Sequence, residues 1–138
     1  TLERSSAASD VYKRQHKGDV ISIFGCGGDR DKGKRAKMGE IAERYSNELI
    51  ITNDNPRWED PLKIKKDIVK GLRKSSQANF IYDREEAIKK GFCLLKSAKK
   101  DSVLLIAGKG HEDFQEIEGK KYSFSDKKII QKLRDVIR

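Results

Sequence analysis

The chain has 138 residues, 38% of them charged, with a formal net charge of +9. That length suits one domain with a real core, and two cysteines, Cys26 and Cys93, are too few for a disulfide framework, which favours a reducing cytoplasm. No apolar run approaches the roughly 20 residues that cross a bilayer and no apolar signal core follows the N-terminus, so a cytoplasmic monomer without membrane contact is expected.

Residues 1–17 are small and polar, lack a sustained apolar period and resemble adaptor sequence. They are read as a disordered lead-in, leaving 18–138 as a single domain. Val20-Ile21-Ser22-Ile23-Phe24 is β-branched and aromatic enough for a buried strand. It breaks into a glycine-dense, charged loop from Gly25 to Arg35, after which Met38, Ile41, Ala42 and Tyr45 recur at helical spacing over about 34–46. Glu48 to Thr52 is a second strand, closed by Asn53-Asp54-Asn55-Pro56-Arg57. The two prolines predict a fixed loop and a helix starting near Pro61, with Ile64, Ile68 and Leu72 on its buried face.

Asn79 to Tyr82 is a short third strand, and Asp83 can cap a helix carrying Ala87, Ile88, Gly91, Phe92 and Leu95. The apolar run from Ser102 to Ala107 predicts a strand at the centre of a sheet covered on both faces. A second glycine-bearing loop, Gly108-Lys109-Gly110-His111-Glu112, follows it. Phe114–Ile117 and Lys121–Phe124 read as a hairpin, and a last helix carries Ile129, Ile130, Leu133 and Ile137. The alternation predicts a Rossmann-like α/β fold: an open, mainly parallel sheet with helices on both faces and a C-terminal β-hairpin plus helix.

In such a sheet the loops after parallel strands share one edge, so Gly25–Arg35, Asn53–Arg57 and Gly108–Glu112 should converge. The converging charges are Asp29, Arg30, Asp31, Lys32, Lys34, Arg35, Asp54, Arg57, Lys109 and Glu112, with Asn55 and His111 beside them. Mixed charge suits a zwitterionic ligand, because an arginine fork holds a carboxylate and a carboxylate holds an ammonium. The competing reading is a set of tight turns with solvated charges. Gly28-x-x-x-x-Gly33-Lys34-Arg35 has the spacing of a phosphate-binding P-loop, but arginine stands where Mg²⁺ coordination needs Ser or Thr, and Asp29 and Asp31 would repel phosphate. The dinucleotide fingerprint fails at Arg30, and with His16 the only other histidine no metal cluster can be assembled. Cys26 reads as a small packing residue, and Trp58 and Tyr45 as packing aromatics. A basic nucleic-acid-binding domain is disfavoured, because acids share the loops that would face phosphate and the aromatics are not interleaved with the basic residues.

Three stretches taken together, Phe24 to Arg35 with Met38, then Asp54-Asn55-Pro56-Arg57, then Ala107 to Gln115, closely resemble the C-terminal domain of the Mur ligase family. The likeness is to the branch that adds meso-diaminopimelate to a UDP-linked muramoyl dipeptide in peptidoglycan synthesis. The resemblance implies that Asp54, Asn55, Pro56 and Arg57 are the diaminopimelate recognition motif, with a different residue for the arginine in lysine-adding relatives. Arg30, Gly108 and Glu112 match further contacts to the same amino acid. It assigns Arg30 and Arg57 to the distal carboxylate and the Gly108 carbonyl and Glu112 to the distal ammonium. Asp29 and Lys34 fall in the segment that faces nucleotide in the family. The family's reaction uses ATP and Mg²⁺ to activate the D-glutamyl carboxylate, which the amine of diaminopimelate then attacks. No Gly-Lys-Thr/Ser loop is present, so ATP, Mg²⁺ and the UDP-linked dipeptide are expected on other domains, and this chain alone should not turn over. A Mur-related domain for lysine or another amino acid is the alternative.

Overall fold

The computed structural model describes residues 18–74, 78–109 and 112–137. The expected lead-in at 1–17 and His111 lie outside the described residues, as does the side chain of Ile137.

The first strand, β1, is Val20–Phe24, followed by a single 3₁₀ turn at Lys32–Lys34 and helix α1, Arg35–Tyr45. Next come β2 at Glu48–Ile51, α2 at Pro61–Val69, β3 at Asn79–Phe80 and α3 at Arg84–Ser97. The chain ends with β4 at Val103–Ile106, a hairpin of β5 (Phe114–Ile117) and β6 (Lys120–Ser123), and α4 at Asp126–Ile137. Two helix starts are set by their sequence. Pro61 occupies the first turn of α2 while Asp60 accepts from the Leu62 N–H, and Asp83 accepts from the N–H groups of Glu85 and Glu86 at the start of α3. Helix α2 ends earlier than the periodicity suggests. Leu72, past its C-terminus, still packs on the core.

The four parallel strands lie in the order β3-β2-β1-β4, with the antiparallel hairpin as a separate unit. Period-two alternation sends successive side chains to opposite faces. Phe24, Leu49 and Ile51 meet Ile64 and Ile68 of α2 and Met38 and Ala42 of α1 on one face. Ile23 and Ile50 meet Ala87 and Ile88 of α3 on the other, joined there by Ile129, Ile130 and Leu133 of α4. Each fully buried isoleucine contributes about 1.5–3 kcal/mol by leaving water.

One expectation fails here: β4 is an edge strand and not a central one. Among the described residues it pairs with β1 alone, and Leu105 is 37% exposed. Leu104 and Ile106 pack toward α3 while Leu105 on the other face is exposed, so the apolar run overstates both the strand neighbours and the covered faces. β1 and β2 are the central pair. The chain runs from β1 outward to β3 and then crosses back to β4 on the other side of β1, and the helix after β1 packs on one face of the sheet while α4, after β4 and the hairpin, packs on the other. The crevice beyond the carboxyl ends of β1 and β4 is the switch point where ligands bind in open α/β sheets.

Candidate functional site at three converging loops

The loops after β1, β2 and β4 do meet, and the contacts between them are polar. Gly28 N–H donates to the Asn55 carbonyl at 2.7 Å, joining the first loop to the second. A Cβ on Gly28 would run into the Pro56 carbonyl, so only glycine permits that approach. Pro56 is fully buried and Asn55 is 4% exposed. Lys109, from the third loop, inserts its ammonium beneath the second. Its Nζ donates to Asn55 Oδ1 and to the Phe114 carbonyl, each at 2.9 Å, and lies 3.2 Å from Asp54 Oδ1 and 3.5 Å from Glu112 Oε1. Asn55 Nδ2 in turn donates to Glu112 Oε1 at 3.1 Å.

Arg57 has a left-handed backbone, φ +53°, and is pinned from both sides by the hairpin. Its N–H donates to the Glu116 carbonyl at 2.9 Å and its own carbonyl accepts from Glu118 N–H at 2.7 Å. The guanidinium is held at two edges. Nη1 donates to the Gly28 carbonyl at 2.9 Å, while Nε lies 3.5 Å from Glu116 Oε2. Arg30 is exposed, and its side chain passes over the same glycine as Arg57: a Cβ on Gly27 would stand 2.8 Å from Arg57 Nη1 and 3.4 Å from Arg30 Cγ. Two guanidinium side chains therefore flank Gly27, while Asp54 and Glu112 gather around Lys109. Asn55 touches both groups. Gly108 has φ +114°, and a Cβ placed on it would stand 3.2 Å from Asp54 Oδ2.

Other charges in the first loop do different work. Arg35 is 1% exposed and is buried in a carboxylate pair, donating from Nη1 to Glu59 Oε2 at 2.6 Å and Asp67 Oδ2 at 3.0 Å. Its Nη2 holds Glu59 Oε1 at 2.8 Å and the Gly27 carbonyl at 2.9 Å. The hydrogen bond from Arg35 holds the Glu59 carboxyl down at about 2, helped by the Asp29 N–H, and the same bond raises the arginine further. Asp31 accepts from Gly33 N–H, and Asp29, with φ +54°, accepts from Trp58 N–H. Lys32 and Lys34 are exposed.

These bonds also test the loop as a phosphate cradle. The N–H groups of Gly28, Asp29 and Gly33 already have protein acceptors, in Asn55, Glu59 and Asp31, and Arg35 is buried. The loop does not fit a triphosphate. Among the described residues no group of three or more His, Cys, Asp or Glu could hold a metal ion, and no helix is long and apolar enough to cross a membrane. Burial pushes the Cys26 thiol up to about 12, against the pull of Arg35, in keeping with a packing residue whose Sγ lies 3.5 Å from Met38 Sδ.

Trp58 departs from its expected packing role. It is 73% exposed, with its indole edge against Gly119 of the hairpin turn. Sequence reasoning also passed over Arg84 and Asp126. Arg84, 1% exposed, grips Asp126 through Nε and Nη2 at 2.9 and 2.8 Å and donates to the carbonyls of Asn53 and Ala107, each at 3.1 Å. One side chain thus ties the second loop, the third loop and the start of α4 together. A signal existed: an arginine in the first turn of a helix opposes the macrodipole and needs a specific partner.

The family described as "Mur ligase, glutamate ligase domain" matches residues 2–110. The chain belongs to the Mur ligase family. It is 49% identical over 121 residues to the UDP-N-acetylmuramoyl-L-alanyl-D-glutamate–2,6-diaminopimelate ligase of Prochlorococcus marinus subsp. pastoris, covering 88% of this chain and 23% of that protein. With the ligase of the same name from Buchnera aphidicola it shares 51% over 128 residues, 93% of this chain and 24% of that protein. A solved structure titled as that ligase superposes with a TM-score of 0.87 at 38% identity, over 99% of this chain and 28% of that one. The chain therefore has the fold of a Mur ligase C-terminal domain and spans about a quarter of the length of the curated relatives it matches.

Proposed function

We propose that this Mur ligase domain binds and orients meso-diaminopimelate for addition to a UDP-linked muramoyl dipeptide, as part of a longer ligase. The observation that carries the reading is the split of charge across Asn55. Arg57 and Arg30 flank Gly27 on one side, and Asp54 and Glu112 surround Lys109 on the other. A ligand bearing a carboxylate and an ammonium on one carbon, as the distal end of diaminopimelate does, matches that pattern. Lysine has the ammonium alone. Its binding would leave the partly buried Arg57 without its second carboxylate, and a polar site left unpaired rejects an analogue far more strongly than a missing methylene does.

The names of the relatives support the same substrate. ATP and Mg²⁺ supply the carboxylate activation when bound to the rest of the ligase, since the loop after β1 has no free phosphate cradle. In this reading the chain contributes recognition and positioning, and alone it does not turn over.

The test joins this domain to the remaining domains of its ligase and compares ligation of meso-diaminopimelate with that of lysine. Arg57→Ala should lower kcat/KM for diaminopimelate by at least about 100-fold, the loss of a charge-assisted bidentate contact of roughly 3 kcal/mol. Its effect on any residual lysine reaction should be much smaller. Equal use of the two amino acids by the unsubstituted enzyme would refute the proposal.

A further inference from the structure

We infer that Lys109 is a positioning residue that builds the ammonium-recognising half of this site, an inference that rests on the reading proposed above. The side chain is 0% exposed, and its ammonium joins Asp54 and Asn55 of the second loop, Glu112 of the third and the Phe114 carbonyl of the hairpin. Burying an ammonium is costly unless it is fully bonded, so a lysine placed there is held by a demanding set of acceptors.

Two features of that set point outward to a ligand. The first is charge: one ammonium is set against two carboxylates, Asp54 and Glu112, which leaves a net negative charge. Glu112, with a side chain 41% exposed, carries it to the rim, where a ligand ammonium would complete the balance. The second is orientation. Asn55 Oδ1 accepts from both Lys109 Nζ and Glu116 N–H, each at 2.9 Å, so its amide NH₂ is turned to Glu112 and holds that carboxylate in place. Asp54 Oδ1 is buried without a hydrogen bond and is steadied by the Lys109 charge. Removing the ammonium takes away one of the two donors to the Asn55 oxygen, leaving Glu116 N–H to hold it alone, and leaves the Asp54 and Glu112 carboxylates facing each other with no cation between them. Lys109 does not touch the guanidinium of Arg57, so the carboxylate-recognising half should be spared.

The experiment uses the complete ligase and three amino-acid substrates: meso-diaminopimelate, lysine, and 2-aminopimelate, which keeps both carboxylates but lacks the second amine. In the unsubstituted enzyme diaminopimelate is preferred over both analogues. If it is not, the substrate reading itself fails. In Lys109→Met the preference for diaminopimelate over 2-aminopimelate should shrink at least 10-fold while the preference over lysine stays within about threefold. A purely structural role would lower all three reactions together and leave both ratios unchanged, and that result overturns the inference. Lys109→Arg keeps the charge but replaces a point-like ammonium by a planar fork, so its ratio should fall between the other two. An unchanged ratio in whichever variant folds, or insolubility of both, likewise overturns it.

Discussion

Arg84 offers the sharpest test of how the loops are held. Replacing it with methionine keeps most of the side-chain volume but strands the Asp126 carboxylate, 7% exposed in its side chain, and removes the donors to the Asn53 and Ala107 carbonyls. Breaking a buried pair by deleting one partner costs about 3–5 kcal/mol, and each orphaned carbonyl adds up to about 1 kcal/mol unless water reaches it. Against a total stability of about 5–15 kcal/mol for a domain, the expected loss is about 4 kcal/mol, or roughly 10–20 °C in Tm at this size. Urea titrations at pH 7 of the unsubstituted chain, Arg84→Met, Asp126→Asn and the double variant would measure it. The double variant should be at least about 2 kcal/mol better than the sum of the singles, because the second change removes a charge the first has already stranded. A loss below about 1 kcal/mol for Arg84→Met, or strict additivity, would refute the assignment of Arg84 as the tie between the loops.

Two further outcomes follow from the shifted groups. The Glu59 carboxyl titrates at about 2 when folded against 4.5 when unfolded. Its stabilisation is therefore complete above pH 4.5 and disappears as the pH falls toward 2, a contribution of roughly 2 kcal/mol after screening. Unfolding free energies measured from pH 7 to pH 2 should show Glu59→Gln with a shallower acid limb than the unsubstituted chain; parallel limbs would contradict the Arg35–Glu59 bond. With the Cys26 thiol buried and pushed up to about 12, and Cys93 exposed on α3, iodoacetamide at pH 7.5 should alkylate Cys93 alone in the folded protein. Mass spectrometry finding both sites modified at similar rates would show that the first loop opens.

What the sequence disclosed and what it hid divide by range of interaction. Asp83 and Pro61 announce their helices because caps act within three residues, and the β-branched, aromatic run of β1 announces a buried strand. The convergence of the three loops follows from parallel strands sharing one edge. Hidden were the buried ions, since Arg35 is held by Glu59, Arg84 by Asp126 and Lys109 by Asn55, which stand 24, 42 and 54 residues away, and no local pattern marks a charged residue as internal. Arg35 illustrates this best. As a letter it only breaks a P-loop motif; in the fold it bolts α1 to Glu59 and Asp67 and holds the Gly27 carbonyl. Trp58 was misjudged for the opposite reason, as aromatic character alone does not say that a ring is covered.

In the reading proposed above, the left-handed backbone at Arg57 bears on how this domain could acquire a different substrate. That conformation is readily adopted by glycine and by asparagine or aspartate, and is strongly disfavoured for the β-branched residues valine, isoleucine and threonine. Since bonds to Glu116 and Glu118 fix the conformation, a residue arriving at position 57 is screened first by its fit to the hairpin and only afterwards by its chemistry. The routes by which a lineage can change its amino acid at this point are thus narrowed by a peptide torsion, and some that look open from side-chain chemistry alone are closed.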